Sequence, residues 1–158
     1  MDSSLILQQI INGFSLGSMY ALIAIGYTMV YGVLRLINFA HGDIMMVGAY
    51  SALFCVTSMN VPFLGALSLA MLFAAALGIA IDRVAYKPLR KAPRISLLIT
   101  AIGISFLIQN VFNVLFGSTP KYFPVPSYLE TVINFNNISI SINSILVPIL
   151  TFFILLVV

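Results

Sequence analysis

The segment Arg35-Leu36-Ile37-Asn38-Phe39-Ala40-His41-Gly42-Asp43 contains every lysine, arginine, histidine, aspartate and glutamate found between Ser3 and Ile81. The runs on either side of it, 3–34 and 44–81, carry no charge. A charged side chain is expensive inside a membrane, so such a segment either marks the membrane surface or has a function within the protein. The placement of this segment therefore decides how the flanking helices are arranged.

The composition is that of an integral membrane protein. Hydrophobic residues make up 61% of the 158 residues, charged residues only 7%, and the mean hydropathy is +1.13. Soluble domains have about 25% charged residues, so water could not solvate this chain. The net charge of +3 does not indicate nucleic-acid binding. Five of its seven basic residues cluster in one short segment that is typical of a cytoplasmic loop, namely Arg83, Lys87, Arg90, Lys91 and Arg94.

The uncharged runs predict an all-α membrane protein. We expect a polytopic transmembrane bundle of about five helices, the last incomplete, in a single domain over 1–158. The first run is long enough for a spanning helix with an extension, or for a helix that breaks at Gly26 or Gly32. Asp43 is a candidate N-cap for the second helix. The later runs are 44–59, 62–81, 95–116 and 144–158.

Two rows of small residues at a spacing of four predict faces where helices pack closely. The alternative is that glycine and alanine are simply common in membrane helices. The first row lies in the first run and the second in the third: Gly13, Gly17 and Ala21, then Ala66, Ala70, Ala74 and Gly78.

The fourth run carries polar residues on one face, because Ser105, Gln109 and Asn113 are also four apart. Side-chain amides in hydrocarbon need partners, so this face should meet protein or water. Hydrogen bonding between helices is one interpretation, and a role of Gln109 and Asn113 in a substrate path is the other. The sequence leaves both open.

Alternating apolar residues from Thr131 to Ser141, around Asn136-Asn137, predict a short β-hairpin. The run that follows is still apolar at Val158 and is too short to span a bilayer. We therefore expect this chain to be a truncated part of a longer protein.

Counting helices from the basic loop 82–94, placed in the cytoplasm, predicts the topology. The N-terminus and the hairpin are then outside, and Arg35–Asp43 is at the cytoplasmic surface. There Asp43 would cap the second helix and His41 would pack at the interface. The alternative is that Asn38, His41 and Asp43 line a transport path, since interrupted helices near charges mark such paths.

Five segments of the chain together form a recognisable set: Ile11-Asn12-Gly13-Phe14-Ser15-Leu16-Gly17-Ser18-Met19-Tyr20-Ala21-Leu22 through Gly32, Leu36–Asp43, Gly48-Ala49-Tyr50, Asp82-Arg83-Val84-Ala85-Tyr86-Lys87-Pro88-Leu89-Arg90 and Leu98-Ile99-Thr100-Ala101-Ile102-Gly103. This set resembles the permeases of branched-chain amino acid ABC transporters. The resemblance runs from about residue 10 to 115, with Asp82 where that family often has Glu and Lys87 where it often has Arg.

The resemblance implies a multi-pass permease of the bacterial inner membrane, about twice this length. It implies four partners: a second permease subunit, two cytoplasmic ATPases that use ATP, and a periplasmic substrate-binding protein. No enzymatic motif, metal site or cofactor is expected in the chain itself. The alternatives are a urea or amide permease of the same family, a transporter or channel that works without an ATPase, and an inactive truncated fragment.

Overall fold

The computed structural model describes residues 3–34, 37–127, 129, 131–135 and 138–158. Within these residues it contains five α-helices and one antiparallel β-hairpin, which confirms the predicted fold class. Three helical segments are long and apolar enough to cross a membrane: Ser4–Val33, Phe63–Leu89 and Arg94–Phe116. The elements are α1 (Ser3–Leu34), α2 (His41–Thr57), α3 (Phe63–Ile81), α4 (Arg94–Phe116), β1 (Val132–Phe135), β2 (Ile138–Ser141) and α5 (Ile142–Val157).

The chain divides into two compact units. The first combines Met1–Val30 with Val125–Val158, and the second is Tyr31–Pro124. The prediction of a single transmembrane domain stays a prediction.

Helix α1, most of which belongs to the first unit, is an unbroken helix of 32 residues. At 1.5 Å per residue it is about 48 Å long, well beyond the roughly 30 Å of a bilayer core. The first run is therefore one extended helix, and neither Gly26 nor Gly32 breaks it. Helix α5 contacts α1 where the Thr151 hydroxyl donates a hydrogen bond to the carbonyl of Ser18 at 3.2 Å.

The two glycines of the predicted packing row on α1 meet no other helix within the described part of the chain. Gly13 and Gly17 are exposed, and a Cβ added to either would find nothing within 4 Å. Ala21 is half-buried. The contact with α5 uses the neighbouring face, at Ser18, because the Thr151 hydroxyl finds its acceptor there.

The hairpin is confirmed, with Ile133 opposite Ile140 in an antiparallel register. Its predicted turn, Asn136-Asn137, lies outside the described residues. The side-chain amide of Gln8 on α1 pairs with the backbone of Ser139, donating to its carbonyl and accepting from its N–H at 2.8 Å each. This amide satisfies backbone groups at an edge of the hairpin, so it ties the hairpin to the start of α1.

In the second unit, α2 and α3 approach each other closely through small residues. A Cβ built on Gly48 would lie 3.5 Å from the Ala74 Cβ and 3.8 Å from the Ala70 carbonyl oxygen. Ala66 and Ala70 are buried, while Ala74 and Gly78 are half-buried. A Cβ on Gly78 would meet nothing within 4 Å, so the contact with Gly48 is made in the middle of the row.

Helix α3 continues into the predicted basic loop. A π-helical turn covers Asp82–Tyr86 and a 3₁₀ turn covers Lys87–Leu89. Residues 90–93 leave the helix before α4 begins, after Pro93. Since Pro93 lacks an N–H and has the fixed φ of its ring, it suits the start of a helix.

A small hydrophobic core joins α2, α3 and α4. Leu97, Ala101 and Ile108 from α4 pack with Ile81 and Tyr86, and residues of α2 cover them. Many large apolar side chains outside this core are exposed. Such surfaces suit contact with lipid or with other protein.

Candidate functional site

Asn38 organises the turn between α1 and α2. Its side-chain oxygen accepts a hydrogen bond from the Ala40 N–H at 3.1 Å, and its carbonyl accepts one from the His41 N–H at 3.1 Å. A side-chain oxygen that accepts from the backbone two residues ahead forms an Asx turn. Asn38 therefore sets the direction in which α2 begins.

The same side-chain oxygen accepts a second hydrogen bond, from the hydroxyl of Tyr86 at 2.7 Å. Both residues are buried. Tyr86 is the last residue of the π-helical turn, and such turns, which are rare, often occur at functional sites. The hydrogen bond ties the turn before α2 to the segment that follows α3.

We expect Tyr86→Phe to destabilise the protein by about 1 kcal/mol, because the mutation removes one hydrogen bond but keeps the ring. Asn38→Ala should have the larger effect, since it removes the acceptor of both Tyr86 and Ala40. Thermal unfolding of the purified protein measures both. A larger loss for Tyr86→Phe than for Asn38→Ala would show that Asn38 does not organise this turn.

Asp43 is the centre of a second cluster, which we call the polar bridge and define as Asp43, Ser105 and Gln109. The Ser105 hydroxyl donates to one carboxylate oxygen of Asp43 at 2.5 Å, and the Gln109 amide donates to the other at 2.9 Å. The Gln109 amide also donates to the Ser105 hydroxyl at 3.1 Å. Asp43 is only 7% exposed, so the bridge satisfies a buried carboxylate with neutral donors.

The prediction that Asp43 caps the second helix is wrong. Helix α2 begins at His41, not after Asp43, and Ala40 precedes it without a side-chain cap. Asp43 lies in the first turn, and its side chain points to α4. The carboxylate accepts from α4 because a buried charge needs donors, which Ser105 and Gln109 supply.

The placement of Asp43 at the cytoplasmic surface stays a prediction, and the structure shows its level along α4. Ser105 lies about 16 Å along α4 from the charged end at Arg94, near the middle of this 23-residue helix. Asp43 is therefore buried at the level of the centre of α4. The beginning of the segment, Arg35-Leu36, lies outside the described residues.

Helices α2 and α4 run in the same direction. Asp43 near the start of α2 bonds Ser105, and Tyr50 further along α2 packs on Phe112 and Phe116, with ring centroids 5.3 and 5.0 Å away. The predicted topology requires this parallel relation. The side of the membrane on which each end lies stays a prediction.

The polar face predicted on α4 is only partly used. Ser105 and Gln109 join the polar bridge, whereas Asn113 is exposed and lies outside it.

Of the remaining candidates, His41 is half-buried in the first turn of α2. Sequence reasoning missed Tyr86, although a tyrosine among the charges after an apolar helix is a signal for a polar contact at a buried position.

A cleft of about 760 Å³ opens beside the turn before α2. Asn38 and Tyr86 line it, together with the basic side chains of Arg90 and Arg94. The other four path candidates, His41, Asp43, Gln109 and Asn113, are not among its lining residues. The predicted site is thus divided: Asp43 and Gln109 lie in the polar bridge and Asn38 lines the cleft, whereas two candidates belong to neither, namely His41 and Asn113.

Residues 9–158 match the family described as the permease component of the branched-chain amino acid transport system. The chain belongs to this family. Its helical architecture and apolar spans agree with a membrane permease, which is a class of transport protein rather than of enzyme.

The chain is similar to curated members of the family. It is 40% identical over 160 residues to the high-affinity branched-chain amino acid transport system permease protein BraD of Pseudomonas aeruginosa, covering 94% of this chain and 52% of that protein. It is 42% identical over 130 residues to LivH of Escherichia coli K12 and to LivH of Salmonella typhimurium, covering 75% of this chain and 41% of each. The chain thus spans about half the length of these relatives or less. No solved structure matches it.

Proposed function

We propose that this chain forms part of the transmembrane permease of an ATP-driven importer of branched-chain amino acids in the bacterial inner membrane. The observation that carries the proposal is the family match over residues 9–158, with relatives that are named as high-affinity permeases of this transport system. The proposed partners are a second permease subunit, two cytoplasmic ATPases that consume the ATP, and a periplasmic binding protein.

Within this function, we assign the polar bridge a positioning role. Its two donors on α4 and its acceptor on α2 hydrogen-bond one another, so the bridge fixes the position of α2 against α4. Asn38 is the path candidate that lines the cleft. His41 and Asn113 remain candidates for the path.

We propose that the small residues on α1 face another subunit. Gly13 and Gly17 are exposed. Only 6% of the most apolar stretch of α1 is buried. Small residues let membrane helices approach closely, which suits the contact with a second permease.

Uptake of radiolabelled leucine tests the proposed function. We expect a strain that lacks its own branched-chain importers to regain uptake when it receives the complete operon that encodes this chain. An operon lacking this coding segment should give background uptake, and the ATPase subunits should copurify with the tagged permease. Saturable uptake of urea but not leucine would instead indicate the amide-transporting alternative. Leucine uptake without any ATPase subunit would contradict the proposal.

A further inference from the structure

The cleft beside Asn38 has an amphipathic lining. Arg90, Arg94 and Asp82 lie among its polar residues, and the rest is largely aliphatic, including Ile95, Leu98 and Ala101. These aliphatic residues follow Arg94 along α4 for about 10 Å, toward the centre of the helix. The cleft therefore leads from charged side chains at the end of a membrane-spanning helix along an apolar wall.

The charged side chains of the lining do not cancel. Asp82 is paired with Arg90, whose guanidinium lies 3.0 Å from the carboxylate. Arg94 forms no ion pair among the residues that the structure describes, and it is exposed. The three side chains thus leave one net positive charge in the lining, on Arg94.

We infer that this cleft binds an anionic phospholipid, with the phosphodiester at Arg94 and an acyl chain along the aliphatic wall of α4. A phosphodiester without an amine, as in phosphatidylglycerol, carries one negative charge and so complements the one unpaired cation. A zwitterionic lipid has no net charge to match. Basic pockets between membrane helices are known to bind anionic headgroups. The inference concerns lipid and does not depend on the substrate that is transported.

Native mass spectrometry of the intact permease complex tests the inference, after delipidation and titration with phosphatidylglycerol or phosphatidylcholine. We expect phosphatidylglycerol to bind more tightly than phosphatidylcholine. Arg94→Gln should weaken the binding of phosphatidylglycerol about fivefold, as for the loss of one basic residue near a membrane surface. Its effect on phosphatidylcholine should be smaller.

Two further variants distinguish binding in this cleft from a general attraction of lipid to exposed basic residues. Arg83→Gln is the matched control, because Arg83 is an exposed cation of the same segment that does not line the cleft. It should leave the affinity unchanged. Asp82→Asn removes the partner of Arg90 and frees a second cation in the cleft, so it should strengthen the binding of phosphatidylglycerol about fivefold.

Three outcomes would overturn the inference. An equal loss for Arg83→Gln and Arg94→Gln would show diffuse attraction to the whole basic segment. Binding that does not change in Arg94→Gln and Asp82→Asn would show that another protein segment or subunit fills the cleft. Equal competition by inorganic phosphate would show an anion site that does not use the apolar wall. If Arg94→Gln fails to assemble, the gain expected for Asp82→Asn still decides the question.

Discussion

Replacing Asp43 by leucine is expected to destabilise the permease by about 3 kcal/mol, because it removes the carboxylate that accepts two partly buried hydrogen bonds. The Ser105 hydroxyl can turn back to a carbonyl of its own helix, but the Gln109 amide keeps only the contact with Ser105. The amount of folded permease in the membrane and its thermal unfolding measure the effect. Asn113→Leu on the same helix is the control, since Asn113 is exposed and lies outside the polar bridge.

Asp43→Asn distinguishes a positioning role from a role of the charge in transport. Asparagine keeps one oxygen to accept from Gln109, and its amide can donate to the Ser105 hydroxyl. We therefore expect near-normal amounts of permease and near-normal leucine uptake. Normal amounts with abolished uptake would show that the carboxylate itself acts in transport, and the positioning role would be wrong.

The second large effect is expected at the contact between α2 and α3. Ala70 is 6% exposed, and its carbonyl oxygen lies 3.8 Å from the position of a Cβ on Gly48. Ala70→Leu adds three carbons where the helices leave little space, so one helix must move. Such overpacking destabilises proteins by about 1 to 3 kcal/mol.

Ala75→Leu is the matched control for this prediction. Ala75 lies on the same helix but is exposed, so the same three carbons should face lipid or a loosely packed surface. The two variants are compared by thermal unfolding and by membrane level in parallel cultures. An equal loss in both would show that α3 makes a further contact at Ala75, and the assignment of the tight face would then be wrong.

Much of the fold follows from local signals. Long uncharged runs predict membrane helices, because each backbone group is satisfied within the helix. The hairpin was predictable from the alternation of Ile133, Phe135, Ile138 and Ile140. The row of Ala70 and Ala74 was predictable from spacing alone, although its partner on α2, Gly48, was not.

The site was less predictable. Counting helices from the basic loop predicts which side of the membrane Arg35–Asp43 faces, but charge patterns do not report which residues of another helix lie beside Asp43. The spacing of Ser105 and Gln109 indicated a polar face on this helix, but it did not indicate that Asp43 is the residue this face contacts. Nothing in the sequence indicated that Tyr86 bonds Asn38, since the π-helical turn that precedes this contact is not encoded by a recognisable pattern.

The sequence by itself determined that the chain is a helical membrane protein of this permease family, where the helices run, and that a carboxylate occurs close to the junction of the first two helices. Only the tertiary structure decided the role of the segment that ends at Asp43. Its carboxylate is buried at the level of the middle of α4, and Asn38, rather than Asp43, forms the turn before α2. The physical reason is that a buried charge is stable only where donors from another helix reach it, and their reach is set by packing rather than by spacing along one chain.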